Sequence, residues 1–178
     1  QALDALHGAH LSGHVRLGVP DDYAQPYLTP VLRSFAARHA GVEIELFCEQ
    51  STVLIPRVQH GELALALVSR DRPQRGLLLF HEPLVWVGAA AHEAWRRDPL
   101  PIAVYEAGSQ ARREALSALA RARRAHRVVY QSASLAGQLA AVHSGLAVAV
   151  LTRCSVPESL QLLGERQGLP PLGAMAVA

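Results

Sequence analysis

Two acidic residues and one arginine in this sequence have the chemistry and the positions to hold a small charged molecule. Asp21 and Asp22 follow a predicted strand, where two carboxylates could recognise an amine or a metal ion, or could lie exposed in a turn. Arg70 follows an apolar run, where it could clamp a carboxylate with two hydrogen bonds or be an ordinary surface residue. Because Asp21, Asp22 and Arg70 favour ligands of opposite charge, the sequence does not identify the ligand.

Motifs of known enzymes and metal sites are missing from the sequence. It has no glycine-rich phosphate loop, no G-x-S-x-G nucleophile turn, no H-E-x-x-H zinc pattern and no C-x-x-C pair. Cys48 and Cys154 are too few for a disulfide framework. They are typical of buried thiols in a reducing cytoplasm, with a redox pair or a metal site as the alternatives. We therefore expect no catalytic residues, no metal and no cofactor.

Composition and charge exclude several classes of protein. Half of the 178 residues are hydrophobic and 18% are charged, which supplies a core and excludes wholesale disorder. Seventeen basic against fifteen acidic residues give a net charge of +2, so this is no polybasic nucleic-acid module. Arginines between positions 112 and 127 could contact phosphate, but are more typical of a solvated helix face. No apolar run reaches the ~20 residues of a transmembrane helix, and no signal peptide is visible.

The elements that must position these side chains alternate between strands and helices. Alternating residues predict strands at 14–19 and 42–46, and continuous apolar runs predict buried strands at 63–68 and 146–151. Helical spacing and capping residues predict helices that start near 29, 51, 109, 132 and 155. Two apolar runs within 77–89 are separated by His81-Glu82-Pro83, where a strand that changes partners would enter a second lobe.

This alternation predicts an α/β protein of two lobes, each with a mainly parallel sheet. In open α/β sheets, ligands bind beyond the carboxyl ends of the strands, where helix N-termini point. Such segments lie at 20–23, 50–52, 69–70, 106–109 and 132–134, and three of them are Ser/Thr helix starts. Free amides and hydroxyls at a helix start favour an anionic or polar ligand group. Facing lobes would bring these loops into one cleft.

The order and spacing of these segments resemble the effector-binding domain of LysR-type transcriptional regulators over about residues 11–178. Residues 11–18 resemble the first strand of that family, and 27–32 with Phe35 resemble its first helix. Residues 61–67 resemble its Gly-Glu-Leu-Asp-Leu-Ala strand, with Ala64 in place of the usual Asp. Residues 82–87 and 145–151 resemble its crossover strand and its return strand.

The resemblance implies a type 2 periplasmic-binding-protein-like fold, in which two crossing strands join the lobes. Residues 12–82 and 155–178 would form lobe I, 83–154 lobe II, and 1–11 the end of a linker helix. A small-molecule effector would bind between the lobes. Carried over position by position, the ligand-binding residues would be Asp21, Asp22, Ser51, Thr52, Arg70, Glu106, Gly108, Ser132 and Ser134.

The resemblance also implies partners for the chain. The first helix and second strand of lobe I in this family pair with lobe II of a partner subunit, so we expect a homodimer or a tetramer. DNA would be bound only through a winged helix that precedes this domain and is absent from this sequence. We expect a cytoplasmic ligand-sensing domain with no membrane contact. The alternative is a solute-binding protein of a transport system, which shares the fold.

Overall fold

The structure is a computed structural model that describes residues 12–178, so the predicted linker-helix end at 1–11 lies outside the described residues. Its strands are β1 (Ser12–Gly18), β2 (Gly41–Phe47), β3 (Leu65–Ala66), β4 (Phe80–Gly88), β5 (Leu100–Val104), β6 (His126–Gln131), β7 (Val148–Thr152), β8 (Gln161–Leu163) and β9 (Ala174–Val177). Its α-helices are α1 (Asp21–Tyr23), α2 (Thr29–Arg38), α3 (Ser51–Gln59), α4 (Gln110–Arg121) and α5 (Leu135–His143). A π-helix, Ala24–Leu28, joins α1 to α2.

A three-stranded parallel sheet in the order β2-β1-β3 forms the centre of what we call the first body, comprising β1–β3 and α1–α3. The register of β1 on β2 runs from Ser12 opposite Gly41 to Gly18 opposite Phe47. A Cβ added to Gly18 would lie 2.7 Å from Leu54 Cδ2, so glycine is what lets α3 pack closely on β1. The β-α-β-α-β order predicted for the first seventy residues is confirmed.

The third strand of this sheet is shorter than the predicted run at 63–68. Only Leu65 and Ala66 pair in register with β1, opposite Leu17 and Gly18. Beyond them the backbone of Val68 exchanges two hydrogen bonds with Ala178, at 2.8 and 2.9 Å. The chain therefore leaves β1 to run beside β9, because β9 offers the same backbone groups an antiparallel partner.

A second sheet in the order β6-β5-β7-β4-β8 is more mixed than the mainly parallel sheet that we predicted. Strand β5 is parallel to both β6 and β7, and these strands with α4 and α5 form what we call the second body. Strand β4 is antiparallel to both β7 and β8, because it enters the sheet from the opposite direction.

Strand β4 changes partners along its length, as the break at His81-Glu82-Pro83 predicted. Its first half, from Phe80 to Pro83, pairs with β9, which also bridges to Ser69 at the edge of the first body. From Leu84 onward, β4 pairs with β7 and then with β8. One strand thus links the two bodies.

The predicted helix over 155–163 is wrong. A 3₁₀ turn, Arg153–Ser155, is followed by β8, which pairs with Trp86–Gly88 of β4. Long-range pairing makes this segment a strand and not a helix, because β8 covers an edge of β4 that would otherwise present unpaired backbone groups. The second sheet therefore reaches beyond residue 154, where we placed the end of lobe II. The division of the chain into lobes otherwise stays a prediction.

The hydrophobic core is concentrated in the second body. Every residue of β5 and β7 is buried, and the large core cluster extends from these strands to Leu119 and Val142 on the covering helices. The first body has a separate small core of Leu54, Leu63 and Val68. Neither α2 nor β2 contains a buried residue.

Candidate functional site

A cavity of about 360 Å³ lies between the two bodies, at the carboxyl ends of their strands. Its first wall comes from the loop after β1 and the first turn of α3. Its second wall comes from the segment between β5 and α4. The residues that line it include Asp22, Ser51, Thr52, Tyr105, Glu106 and Gly108. This is where parallel α/β sheets place ligands, because helix N-termini converge there.

The first wall presents a helix start whose backbone amides have no partners within the helix. Helix α3 begins at Ser51, and the first N–H groups of any α-helix lack intrahelical acceptors. We expected a Ser/Thr cap here, but Gln50 is the N-cap and makes no side-chain capping bond. The Ser51 hydroxyl instead accepts a hydrogen bond from the Ser69 amide at 2.9 Å. That bond fixes the start of α3 against the segment that follows β3.

The second wall is a tight turn that approaches the first wall closely. Gly108 has a φ of +96°, in the region that favours glycine, and a Cβ there would lie 3.4 Å from Thr52 Cγ2. The next residue, Ser109, is the N-cap of α4, and its side chain accepts a hydrogen bond from the Arg112 amide. Any other residue at position 108 would have a strained backbone, while its Cβ would make an ordinary van der Waals contact with Thr52.

Three polar side chains connect the two bodies around the cavity. The Thr52 hydroxyl donates to Glu106 Oε1 at 3.1 Å. The Gln110 amide donates to the carbonyl oxygens of Ser69 and Arg70, at 3.2 Å to the former. Thr152, at the end of β7, donates to Asp22 Oδ2 at 3.1 Å. The walls are therefore held together by hydrogen bonds that a change in the cavity's contents can strengthen or replace.

Asp22 is a buried acid in this wall, with only 9% of its surface exposed. Desolvation by burial raises the pKa of its carboxyl from 3.8 to about 6, although hydrogen bonds to its own backbone and to Thr152 oppose this rise. The nearby carboxylates of Asp21 and Glu82 raise the pKa further. Near neutral pH the group is mostly ionised, at a cost in folding energy that burial imposes.

Two further oxygen atoms in the cavity wall lack hydrogen-bond partners among residues 12–178. They are the hydroxyl of Tyr105, a residue that is 5% exposed, and Oε2 of Glu106. Burial, with the charges of Asp22, Asp21 and Glu106, raises the pKa of Tyr105, so the phenol stays protonated. Both oxygen atoms are buried within the wall and have almost no accessible surface.

The structure brings five of the nine predicted ligand-binding residues to the cavity: Asp22, Ser51, Thr52, Glu106 and Gly108. Asp21 begins α1 but does not line the cavity. Arg70 does not line it either, because its guanidinium donates to the Pro73 carbonyl at 2.8 Å. The ligand-binding role of these residues stays a prediction.

Ser132 and Ser134 also lie outside the cavity lining, although we predicted both as ligand-binding residues. Ser134 is the N-cap of α5 and accepts from the Gly137 amide at 3.1 Å. The Ser132 hydroxyl accepts from the Ser134 amide at 3.3 Å. Their hydroxyls are thus engaged in starting the helix.

Tyr105 and Gln110 line the cavity but were not predicted from the sequence. Tyr105 follows a buried apolar strand and so looks like a core residue, whereas in the structure it also lines the cavity. Gln110 is the first residue of α4, next to the predicted Ser109 cap. Both residues could have been predicted from their position, since each is adjacent to the loop at 106–109. That loop was selected because ligands bind beyond the carboxyl ends of strands in open α/β sheets.

The described residues hold no cluster of three or more metal-ligating side chains. Cys48 and Cys154 are not joined to each other, and burial raises the pKa of the Cys154 thiol to about 12. Within residues 12–178, every helix is too short or too polar to cross a membrane.

Comparison with known proteins now identifies the family. Residues 8–171 match the LysR substrate binding domain family. The chain belongs to this family. It is 37% identical over 178 residues to the HTH-type transcriptional regulator DgdR of Burkholderia cepacia, covering 99% of this chain and 60% of that protein. The chain thus spans less than two thirds of the length of that LysR relative.

Solved structures of LysR effector domains share the fold of this chain. The effector-binding domain of QuiR in complex with shikimate matches with a TM-score of 0.75 and 14% identity, over 94% of this chain and 88% of that one. The regulatory domain of CcmR from Synechocystis PCC6803, in complex with 2-PG, matches with a TM-score of 0.72 and 20% identity, over 94% and 88%. The predicted family and the type 2 periplasmic-binding-protein-like fold class are confirmed. The LysR relatives are transcriptional regulators, which favours a regulatory domain over the transport protein that was the alternative.

Proposed function

We propose that this LysR domain senses a small polar molecule that binds in the cavity between α3 and α4. The observation that carries the proposal is the convergence of polar groups from both bodies on one cavity of about 360 Å³. That volume lies at the small end of the ~300–1,000 Å³ that is common for ligand sites. The free amides at the start of α3 offer a ligand hydrogen-bond donors, and the side chains of Asp22 and Glu106 on the cavity wall offer acceptors.

Ligand binding would act by changing how the two bodies are held together. The contacts of Thr52 with Glu106 and of Gln110 with Ser69 cross the cavity, so a ligand there competes with them or tightens them. A ligand shifts a conformational equilibrium only by its difference in affinity for the two states. A site that both bodies build meets this requirement, because its shape depends on their relative position.

The longer regulator would use this shift to control DNA binding through an N-terminal winged helix outside this chain, in the cytoplasm. We further propose that the domain forms a homodimer or a higher oligomer through α2 and β2. Val31, Ile44 and Leu46 expose 59%, 36% and 39% of their surface on these elements. Val128 and Leu146, near the far edge of the second body, are 43% and 42% exposed and offer an apolar counterpart on a second copy.

The ligand proposal is tested by screening and then by a matched pair of variants. Amino acids, amines, carboxylic acids and sugars at millimolar concentration are screened for a rise in melting temperature. A ligand at 100 times its Kd adds about 2.7 kcal/mol of stability. Calorimetry then compares Thr52→Val, which removes the hydroxyl that bonds Glu106, with Thr29→Val on exposed α2.

We expect Thr52→Val to lower ligand affinity by about threefold to tenfold, because the ligand loses the Thr52 hydroxyl as a hydrogen-bond partner and one net hydrogen bond contributes ~0.5–1.5 kcal/mol. Thr29→Val should bind as the wild-type chain does, because Thr29 lies away from the cavity. Equal affinity for wild type and both variants would place the ligand elsewhere.

A further inference from the structure

The two bodies touch each other through two kinds of contact. One kind is apolar: Tyr23 of α1 and Leu28 of the π-helix, which do not line the cavity, belong to the large core cluster centred on β5 and β7. The other kind crosses the cavity and consists of hydrogen bonds, from Thr52 to Glu106 and from Gln110 to the first body. Apolar contacts are costly to separate, whereas groups released from a hydrogen bond can bond to water. The contacts across the cavity are therefore those that can open.

The segment of the first body that Gln110 contacts is held in place by its own hydrogen bonds. The Ser69 amide donates to the Ser51 hydroxyl at 2.9 Å, and the Ser69 hydroxyl shares a hydrogen bond of 2.9 Å with the Tyr23 hydroxyl. The Arg70 amide donates to the Ala176 carbonyl of β9, also at 2.9 Å. Ser69 is only 8% exposed. The carbonyl oxygens of Ser69 and Arg70 are thus acceptors in fixed positions.

Gln110 reaches these acceptors from the start of α4 in the second body. Its Nε2 donates to the Ser69 carbonyl at 3.2 Å and to the Arg70 carbonyl. A side-chain amide has two N–H donors, so this contact uses both donors of Gln110. The helix start that presents Gln110 is itself capped, because the Ser109 side chain accepts from the Arg112 amide. One side chain therefore joins two well-anchored segments.

The position of Gln110 also exposes this contact to whatever enters the cavity. Gln110 and Ser69 both line the cavity. A bound molecule can accept hydrogen bonds from the Gln110 amide, or can donate to the carbonyl oxygens that this amide contacts. Either exchange releases the contact between the bodies without disturbing the hydrogen bonds that anchor Ser69 and the start of α4.

We propose that Gln110 is a latch, whose two hydrogen bonds to Ser69 and Arg70 hold the walls of the cavity together. When the latch is released, the bodies open about their apolar contact and β4. The inference rests on the proposed ligand-sensing function, because it names the contact through which the site is regulated. The latch itself is a property of the chain alone, so its test needs no ligand.

The test measures the distance between the bodies by electron–electron resonance of two spin labels. One label is attached to Cys48, an exposed thiol that follows β2 in the first body. The other is attached to Ser117→Cys, at an exposed position on α4. The second natural cysteine is replaced by Cys154→Ser in every protein, so that two labels attach.

Two substitutions release the latch in different ways. Gln110→Met keeps the length of the side chain and removes both donors. Gln110→Glu places a carboxylate against two carbonyl oxygens, while an acid in the first turn of a helix favours α4 itself. Gln25→Glu is the matched control, because Gln25 is exposed on the π-helix and does not line the cavity.

We expect a second, longer distance in both Gln110 variants. The ratio of the longer to the shorter distance should rise about fivefold or more, since the loss of each net hydrogen bond changes an equilibrium by about twofold or more. Gln110→Glu should have the larger effect, because it adds repulsion. Gln25→Glu should show the distances of the unsubstituted chain.

Melting curves recorded on the same proteins separate a latch from a residue that only stabilises the fold. A residue of the latter kind would lower the melting temperature and leave the distances within the folded chain unchanged. Unchanged distances in Gln110→Glu would overturn the latch, and so would an equal change in Gln25→Glu. Both results leave ligand sensing standing, which fails separately if the screen finds no compound that binds.

Discussion

The large hydrophobic core of this LysR domain is centred on the second body and extends to Tyr23 and Leu28, whereas the first body leaves much of its apolar surface uncovered. All five residues of β5 and all five of β7 are buried. In the first body, by contrast, α2 and β2 contain no buried residue, and the separate core consists of Leu54, Leu63 and Val68. The difference teaches that most of the buried apolar surface lies in the second body, while the first body exposes apolar side chains on α2 and β2.

The largest expected effect comes from truncating matched leucines in the two bodies. Leu151 in β7 is fully buried, whereas Leu46 in β2 is 39% exposed. Leu151→Ala should lower the free energy of unfolding by ~2–5 kcal/mol, because it removes buried methyl groups and leaves a cavity. Leu46→Ala should cost about 1 kcal/mol or less. Urea denaturation measures both, and equal losses would break the contrast between the bodies.

The exposed apolar surface of β2 allows a second test of the difference between the two bodies, in which self-association of the domain is measured. Leu46→Glu introduces a charge into the proposed dimer surface and should weaken association by about tenfold in sedimentation equilibrium, since well-packed interface residues contribute over ~1 kcal/mol. Leu162→Glu on β8, which is also 39% exposed, is the matched control. Equal effects of the two variants would assign no special role to β2.

A smaller effect on the free energy of unfolding is expected from ionisation of Asp22, which is buried at the junction of the two bodies. Its folded-state pKa of about 6 lies above the ordinary 3.8, so the folded chain binds a proton that the unfolded chain has lost between these values. This group's contribution to stability is therefore present at low pH and is lost as the pH rises through about 6. A shift of this size corresponds to about 3 kcal/mol.

Asp22→Asn should thus gain stability relative to the wild type as the pH rises from 4 to 7, because it removes the buried charge. Urea denaturation at several pH values measures the gain. Asp21 and Glu82 repel the ionised Asp22 carboxylate and Thr152 donates to it, so Asp22→Asn removes these interactions together with the buried charge. Asp98→Asn, on a side chain that is 70% exposed, is the control. Parallel pH profiles for wild type and Asp22→Asn would show that the carboxyl is not destabilised by burial.

The sequence predicted those parts of the fold that local pattern determines. Helix starts at Ser109 and Ser134 were predicted from capping residues, and both side chains accept the expected backbone hydrogen bonds. The partner change of β4 followed from the break before Leu84. Strand β8 was missed because its pairing with β4 is a long-range contact, which outweighs local helical preference.

The site was predicted less completely than the fold, for a physical reason. Position along the chain selected Asp22, Thr52 and Glu106, because the ends of parallel strands meet at one edge of a sheet. Side-chain direction could not be predicted, since it depends on remote partners. The Arg70 guanidinium donates to the Pro73 carbonyl, and Tyr105 lines the cavity from a strand end that pattern alone assigns to the core.

The central claim is that one ligand contacts both bodies at once. Hydrogen–deuterium exchange tests it most directly, on the wild-type chain with and without the tightest-binding compound from the ligand screen. We predict slower exchange at residues 51–54 in α3 and also at 108–112 around the start of α4, with little change in α2. Protection confined to one of the two segments, or found only outside them, would contradict the account.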